Sequence, residues 1–224
     1  MDKRLRDAWS NFIRAEDYEA HMAAVGQAQA NALLVAEYFA AAPPQPGAEI
    51  LFLGAGTGQM FDFVSPAFLA PYRTTFADIN PAYFGRLSER LSPFKDLRYR
   101  TVEDDVEQTA LQPGFGLVAA VLLLEHVDWR KAVNTIARLS VGKALVVLQK
   151  NPESLLSAMT PDREVPGTMN LFREIHPELV PQLALQEEFR ALGFVLTHQA
   201  EKIVADRKRM IATGFARLSQ GQDS

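Results

Sequence analysis

Hydrophobic positions follow two regimes along the chain, with a boundary near residue 47. Ahead of it, Val25, Ala28, Ala32, Val35 and Phe39 recur at three- and four-residue steps, the apolar stripe of one helix over residues 18–39. A shorter helix is predicted around residues 5–13. The stretch Ala40-Ala41-Ala42-Pro43-Pro44-Gln45-Pro46-Gly47 then stops helix and starts extended chain. Beyond it, short runs that are apolar throughout alternate with helical stretches. Strands are predicted at residues 50–53, 74–77, 97–102, 117–122 and 144–148. Asn80 and Pro81 open a helix that runs to about Leu91, as N-cap and first helical residue. A second helix spans residues 129–139. Strands apolar on both faces and separated by helices belong in a parallel sheet covered on both sides.

The end of the chain breaks that rhythm. After a helix near residues 177–192, Gly193 leads into two extended stretches, 194–204 and 208–216. Stretches this close join only as an antiparallel hairpin, because a parallel crossover needs a dozen or more residues. The expected fold is therefore α/β and doubly wound. A mostly parallel seven-stranded sheet carries helices on both faces, and its last strand is antiparallel in a C-terminal hairpin. Residues 1–47 are expected to form an N-terminal helical cap on a ligand-binding domain of residues 48–224, the two making one globular unit.

Composition narrows the function classes. With 224 residues, 48% hydrophobic and 22% charged, the chain is an ordinary globule of one domain. It has no cysteine, which excludes disulfides, thiol nucleophiles and cysteine-ligated zinc. The longest apolar run, residues 117–124, is far shorter than the ~18 residues a membrane helix needs. No apolar segment follows the charged N-terminus as in a secretory signal. A cytoplasmic protein without membrane contact is expected. The net charge of -4 argues against nucleic acid as partner. Neither an H-E-x-x-H nor a G-x-S-x-G motif occurs, so no metal is expected and zinc and serine hydrolases are disfavoured.

The strongest chemical signal is the run Gly54-Ala55-Gly56-Thr57-Gly58-Gln59 after the first strand, with Asp78 ending the second. Glycines admit close backbone approach to a ligand, and open α/β sheets bind nucleotides at the carboxyl ends of their strands. A strand-end carboxylate accepts hydrogen bonds from ribose hydroxyls. The strand, the loop, a helix after it and this carboxylate point to an adenosine-containing ligand. Gln59 stands where the third glycine of a dinucleotide fingerprint belongs, and no lysine follows as in a P-loop. A tight turn with Asp78 as a helix cap is the plainer reading.

Residues 48–150 resemble the class I, Rossmann-like, S-adenosylmethionine-dependent methyltransferases. Gly54–Gly58 is similar to their first motif, and Asp78 to their acidic second-strand end. Val102-Glu103-Asp104-Asp105-Val106 is similar to the segment that meets adenine, and Leu122-Leu123-Leu124-Glu125-His126-Val127-Asp128 to the segment after strand four. The resemblance implies S-adenosyl-L-methionine as cofactor. Backbone of Gly54, Ala55, Gly56 and Gly58 would lie against its methionine part. Asp78 would take the ribose hydroxyls, Ile79 would pack on adenine, and Asp105 with the Val106 amide would read the adenine edge. Ala120, Val121 and Leu122 would line the sulfonium region. Three positions depart from the family pattern: Phe52 replaces an acidic residue, Gly116 replaces an aspartate, and Val141-Gly142-Lys143 replaces a proline-glycine stretch.

Methyl transfer rests largely on alignment of nucleophile, methyl and sulfur, so the motifs leave the acceptor open. His126 is a candidate base, or a histidine packed at a helix start. Tyr18 and His21 share a face of the first long helix, either as part of a lid or as packing residues. Trp129 is either an aromatic wall beside the sulfonium or a core residue. Lys202, Arg207, Lys208 and Arg209 read as a solvated face. Residues 151–173 are expected to complete the acceptor pocket, with Met159, Met169 and Phe172 as its apolar set. His176 and His198 carry no assigned role. The expected activity is methyl transfer to a small-molecule acceptor. A non-catalytic methyltransferase-like binding protein, and a methyltransferase acting on a protein, remain as alternatives, and monomer or homodimer is undetermined.

Overall fold

The computed structural model describes residues 3–152, 165, 167–173 and 179–218. One sheet contains β1 (Glu49–Leu53), β2 (Arg73–Asp78), β3 (Arg98–Glu103), β4 (Phe115–Val121), β5 (Ser140–Lys150), β6 (Phe194–Ile203) and β7 (Arg209–Arg217). Their order is β3-β2-β1-β4-β5-β7-β6. Strands β1 to β5 pair in parallel, and β7 runs antiparallel to both β5 and β6. This is the expected seven-stranded, doubly wound sheet with its hairpin edge.

The apolar runs have a direct cause in the two cores. In β5, Ala144, Val146 and Leu148 join one core while Leu145 and Val147 join the other. The first core is closed by α5 (Trp129–Leu139) and α6 (Gln182–Ala191), and the second by α3 (Gln27–Ala41) and α4 (Phe84–Leu91). A strand buried on both faces has no polar positions to alternate. No helix among the described residues is long and apolar enough to cross a membrane.

Three local expectations change. The single helix over residues 18–39 is two, α2 (Ala15–Ala24) and α3, because Gly26 adopts φ +73° between them. The predicted first helix is α1 (Lys3–Asp7) running into one π-turn, Ala8–Phe12. No α-helix follows the glycine loop. Two short 3-10 turns, Gln59–Asp62 and Pro66–Leu69, connect β1 to β2 instead. Asn80 does act as a cap after β2: its Oδ1 accepts from the Ala82 N–H at 3.1 Å, and a 3-10 turn precedes α4.

The family departures have packing causes. Phe52 is buried and stacks on Phe76 with ring centroids 5.3 Å apart, so this position faces the α3 side of the sheet. A Cβ at Gly116 would lie 2.9 Å from Ala48 Cβ, and one at Gly142 would lie 2.8 Å from the Gly116 carbonyl oxygen. The two glycines oppose each other where the β4–β5 register shifts. A larger residue at either position requires backbone movement.

Chain direction across the sheet reverses between β1 and β4. Open α/β sheets present a ligand crevice at that place, outside the carboxyl ends of the two strands. The N-terminal segment crosses it. Leu5, Ala8 and Ile13 form a small core with Val165, Met169 and Phe172 from the segment after β5. Met159, His176 and the predicted helix start at 177 lie outside the described residues.

Candidate functional site

The loop after β1 is held open by its own backbone geometry. Gly54, Gly56 and Gly58 have φ of +62°, +57° and +69°, a region that costs a side-chain-bearing residue about 1–2 kcal/mol. The three serve different ends. A Cβ at Gly58 would collide with Leu87, so that glycine serves packing. A Cβ at Gly54 would lie 2.9 Å from Leu123 Cδ1, which lets the segment after β4 rest on the loop. A Cβ at Gly56 would enter the cavity, 3.6 Å from the Tyr18 ring. Gln59 donates from Nε2 to the Glu19 carbonyl at 3.0 Å, tying α2 over the loop.

Asp78 fixes the loop from the neighbouring strand. Its Oδ2 accepts the Gly56 N–H at 2.7 Å and its Oδ1 accepts the Asn80 N–H at 2.9 Å. Each oxygen retains a lone pair for a ligand hydroxyl. Burial raises the carboxyl to about 6, against the opposing pull of backbone N–H donors.

After β3, Asp104, Asp105 and Val106 all reach the same cavity. Asp105 pairs with Arg6 of α1 at 2.9 Å. Asp104 keeps a buried Oδ2 with no hydrogen-bond partner, and burial raises its carboxyl. The resemblance singled out Asp105; the unpartnered oxygen belongs to its neighbour.

After β4 the chain turns at Leu122, a non-glycine residue at φ +52°, whose N–H donates to the Val147 carbonyl at 2.9 Å. Strain of this kind persists where surrounding structure enforces it, typically beside a site. The turn brings Glu125 and His126 to the cavity wall. Glu125 is 3% exposed, and its Oε1 accepts the Gln149 N–H at 2.7 Å while Oε2 has no partner. Burial raises this carboxyl to about 7. Burial has the opposite effect on His126, lowering it to about 4, with Nδ1 unpartnered. An imidazole with so low a pKa is neutral at neutral pH and a weak base, away from the range that suits proton abstraction.

The cover comes from the N-terminal segment and from the segment after β5. Trp9, from the π-turn, packs edge-on against His126 with centroids 4.9 Å apart and against Phe172 at 5.0 Å. Tyr18 meets Trp9 edge-on at 5.8 Å and stacks on Tyr83 at 6.1 Å. The Asn80 amide nitrogen donates to the Trp9 carbonyl at 2.9 Å, and the Tyr83 hydroxyl to the Ile13 carbonyl at 2.8 Å. Asp17 Oδ2 accepts from the Thr168 N–H at 2.9 Å and the Thr168 hydroxyl at 2.7 Å. These bonds hold the N-terminal segment over the crevice.

Of the residues named from sequence, Gly54, Gly56, Asp78, Ile79, Asp105, Val106, Val121, Leu122, Tyr18, His21 and His126 converge on one cavity. Ala55 and Gly58 line a smaller pocket behind the loop. Ala120 is wholly buried in the sheet core. Trp129 is a core residue with the Arg130 guanidinium 4.2 Å from its ring centroid. Met169 and Phe172 line the cavity as expected of the apolar set. Lys208 departs from the solvated-face reading: it is 6% exposed and lines the cavity, whereas Lys202 pairs at the surface with Glu37 at 3.0 Å. Consecutive left-handed residues, Asp206 at φ +60° and Arg207 at +55°, turn Lys208 inward. Trp9, Gln27 and Gln149 also reach the wall and carried no sequence signal.

No protein-family model matches the sequence, and no curated protein is recognisably similar to it. Solved structures are similar to it in fold. The magnesium protoporphyrin IX methyltransferase of Synechocystis PCC 6803 with bound S-adenosylhomocysteine is 14% identical at a TM-score of 0.62, over 86% of this chain and 84% of that one. The N-methyltransferase NodS of Bradyrhizobium japonicum WM9 is 13% identical at 0.57, over 84% and 86%. The glycopeptide N-methyltransferase MtfA is 18% identical at 0.59, over 84% and 90%. The likeness is one of fold, and the chain has the fold of the Rossmann-like S-adenosylmethionine-dependent methyltransferases.

Proposed function

We propose that the chain is an S-adenosylmethionine-dependent methyltransferase acting on a small-molecule acceptor. The observation that carries this reading is the alignment of the Gly54–Gly56 backbone with the Asp78 carboxylate under a closed cover, at the sheet's switch point. The residues fit the cofactor: Gly56 leaves open the space a Cβ would fill, and Asp78 offers free lone pairs beside it. Gly54 and Gly56 would lie along the amino-acid part, Asp78 would hold the ribose, and Ile79 and Val106 would flank adenine. Asp104 Oδ2 or Asp105 would receive the adenine amino group. Val121 and Leu122 would border the sulfonium. Once bound, the cofactor supplies an electrophilic methyl group.

This chain's own contribution is positioning and exclusion of water. Tyr18 closes on the glycine loop, and Trp9, His126 and Phe172 make an apolar wall. Residues 1–47 act as the cap, with α2 bound to the loop through Gln59 and Glu19. A cavity roofed in this way favours a small acceptor over a protein segment. Similar folds include enzymes whose names record small-molecule and glycopeptide acceptors, which agrees with the reading at the level of chemistry.

Calorimetric titration with S-adenosylmethionine, S-adenosylhomocysteine and, separately, NADH tests the proposal. Micromolar binding of the first two and none of NADH is expected. A folded sample that binds neither of the first two overturns it.

A further inference from the structure

Beyond the adenosine side, one end of the cavity holds buried polar atoms that the fold leaves unpaired. Glu125 Oε2, His126 Nδ1 and Trp9 Nε1 each lack a hydrogen-bond partner. All three residues line the same cavity. Neighbouring polar groups are committed elsewhere: Gln149 Oε1 accepts from Gln27 Nε2 at 2.5 Å, and Gln149 Nε2 donates to Asn151 at 2.7 Å. A buried carboxylate oxygen without a donor is costly, so a donor brought by a ligand is held strongly.

Charge says what kind of donor. Among the described wall residues, Asp78, Asp104 and Glu125 stand against Lys208, while Asp105 is paired with Arg6 at 2.9 Å. Acidic groups therefore outnumber basic ones on the wall. Beside Glu125, the rings of Trp9, His126 and Phe172 form a continuous aromatic surface with centroid separations of 4.9–5.5 Å. A cation is favoured both by a charge-assisted hydrogen bond to a carboxylate and by nearby π faces.

Building on the methyltransferase reading, we propose that the acceptor is a small amine with a flat apolar group lying against Trp9, His126 and Phe172. It binds as an ammonium on Glu125 Oε2 and passes one proton to that carboxylate. Its freed nitrogen lone pair then forms the N–C bond to the methyl as the C–S bond breaks and S-adenosylhomocysteine leaves. Trp9 Nε1–H remains as a donor to a second polar group on such a ligand.

The test is a binding measurement on the full-length protein saturated with S-adenosylhomocysteine. Benzylamine, phenethylamine and tryptamine are titrated at neutral pH, each beside its alcohol counterpart. At least one amine is expected to bind about tenfold more tightly than its alcohol. Glu125→Gln should erase that preference while S-adenosylhomocysteine still binds as in the parent. Glu125→Asp keeps the charge but withdraws it, and should weaken the amine by a smaller factor, which serves if the glutamine variant folds poorly. Equal binding of amine and alcohol, no binding of any amine, or a preference that survives in Glu125→Gln overturns the proposal. Failure of S-adenosylhomocysteine to bind counts against the methyltransferase reading alone, since the same titrations without it still report the amine preference.

Discussion

Asp78 ties the glycine loop to the turn after β2 through the Gly56 and Asn80 N–H groups, and in the proposed cofactor site its protonation is where pH should first be felt. Burial raises it to about 6, so it is ionised at neutral pH and neutral below. In the proposed site the cofactor hydroxyls would need it as an acceptor. Affinity for S-adenosylhomocysteine should therefore fall as pH drops through about 6, and Asp78→Asn should flatten that profile. At neutral pH the same substitution should weaken binding by roughly 1.5–3 kcal/mol, the range for hydrogen bonds to a charged group. A calorimetric pH series on both proteins checks this. Glu125 poses the complementary case for stability. Its carboxyl is raised to about 7 in the folded protein from an ordinary 4.5. Below 4.5 both folded and unfolded states are protonated and no penalty exists; above about 7 the folded state bears it in full. Glu125→Gln should therefore raise the melting temperature at mildly alkaline pH, by up to about 3 kcal/mol of stability, and the gain should vanish toward pH 4.5. Melting curves across that interval decide it. At this scale the sequence was informative where spacing carries meaning. Asp78 and Gly56 were legible because a strand-end acid and a glycine loop have fixed relative places. Trp9, Gln27 and Lys208 were not, because only tertiary closure brings positions 9, 27 and 208 to one wall.

Whole elements were legible in proportion to how far local pattern and tertiary burial agree. The central strands β1, β4 and β5 read clearly because burial on both faces leaves runs with little polar interruption, whereas the edge strand β3 stays exposed or half-exposed and carries Arg98, Arg100 and Glu103. The hairpin read clearly because chain length permits only one connection. Helix boundaries did worse. Val25, Ala28 and Val35 make an unbroken stripe through Gly26, since α2 and α3 each bury an apolar face and the stripe survives the change in axis. The glycine was the sole hint, and its effect is conformational: nothing lies within 4 Å of where its Cβ would be. Gly26→Ala should accordingly destabilise by about 1–2 kcal/mol through left-handed strain alone. Because the Val25 carbonyl accepts the Ala205 N–H at 3.3 Å, the hairpin tip that carries Lys208 should exchange amide hydrogens faster in that variant. A denaturant midpoint and an exchange map read the two effects separately. The missing helix after the glycine loop has a similar lesson. Arg90, bonded to Glu19 at 2.7 Å and to the Thr57 carbonyl at 3.1 Å, and Gln59 together anchor the short turn to α2. Tertiary bonds there replace the support that a regular helix would otherwise give.

Seen as one molecule, the protein is a seven-stranded sheet whose crevice is roofed by its N-terminal segment. The roof is fastened by polar contacts at several points rather than by one large core. Arg6 meets Asp105, Asp17 meets Thr168, Tyr83 meets Ile13, and only a small apolar cluster lies between. Thr168 and Arg14 hold the Asp17 carboxyl down to about 2, so this fastening persists above the ordinary carboxylate range and is lost as pH falls through about 2. The glycine loop and Asp78, by contrast, are bonded to each other and to α2, and the first fourteen residues reach the proposed cofactor site only at its margin, through Asn80, Tyr83 and Asp105. Deleting residues 1–14 should therefore separate the two ligand functions. The shortened protein should keep most of its S-adenosylhomocysteine affinity, visible as a retained ligand-induced rise in melting temperature. It should lose its affinity for amines, because Trp9 and the wall it completes against His126 and Phe172 are gone. Fluorescence gives an independent readout. The chain has two tryptophans, and Trp129 is buried in the core away from the cavity. Amine binding should quench the full-length protein through Trp9 and leave the emission of the shortened one unchanged. Parallel loss of both affinities would instead make the N-terminal segment part of the cofactor site, and would move the boundary between cover and binding site to the start of the chain.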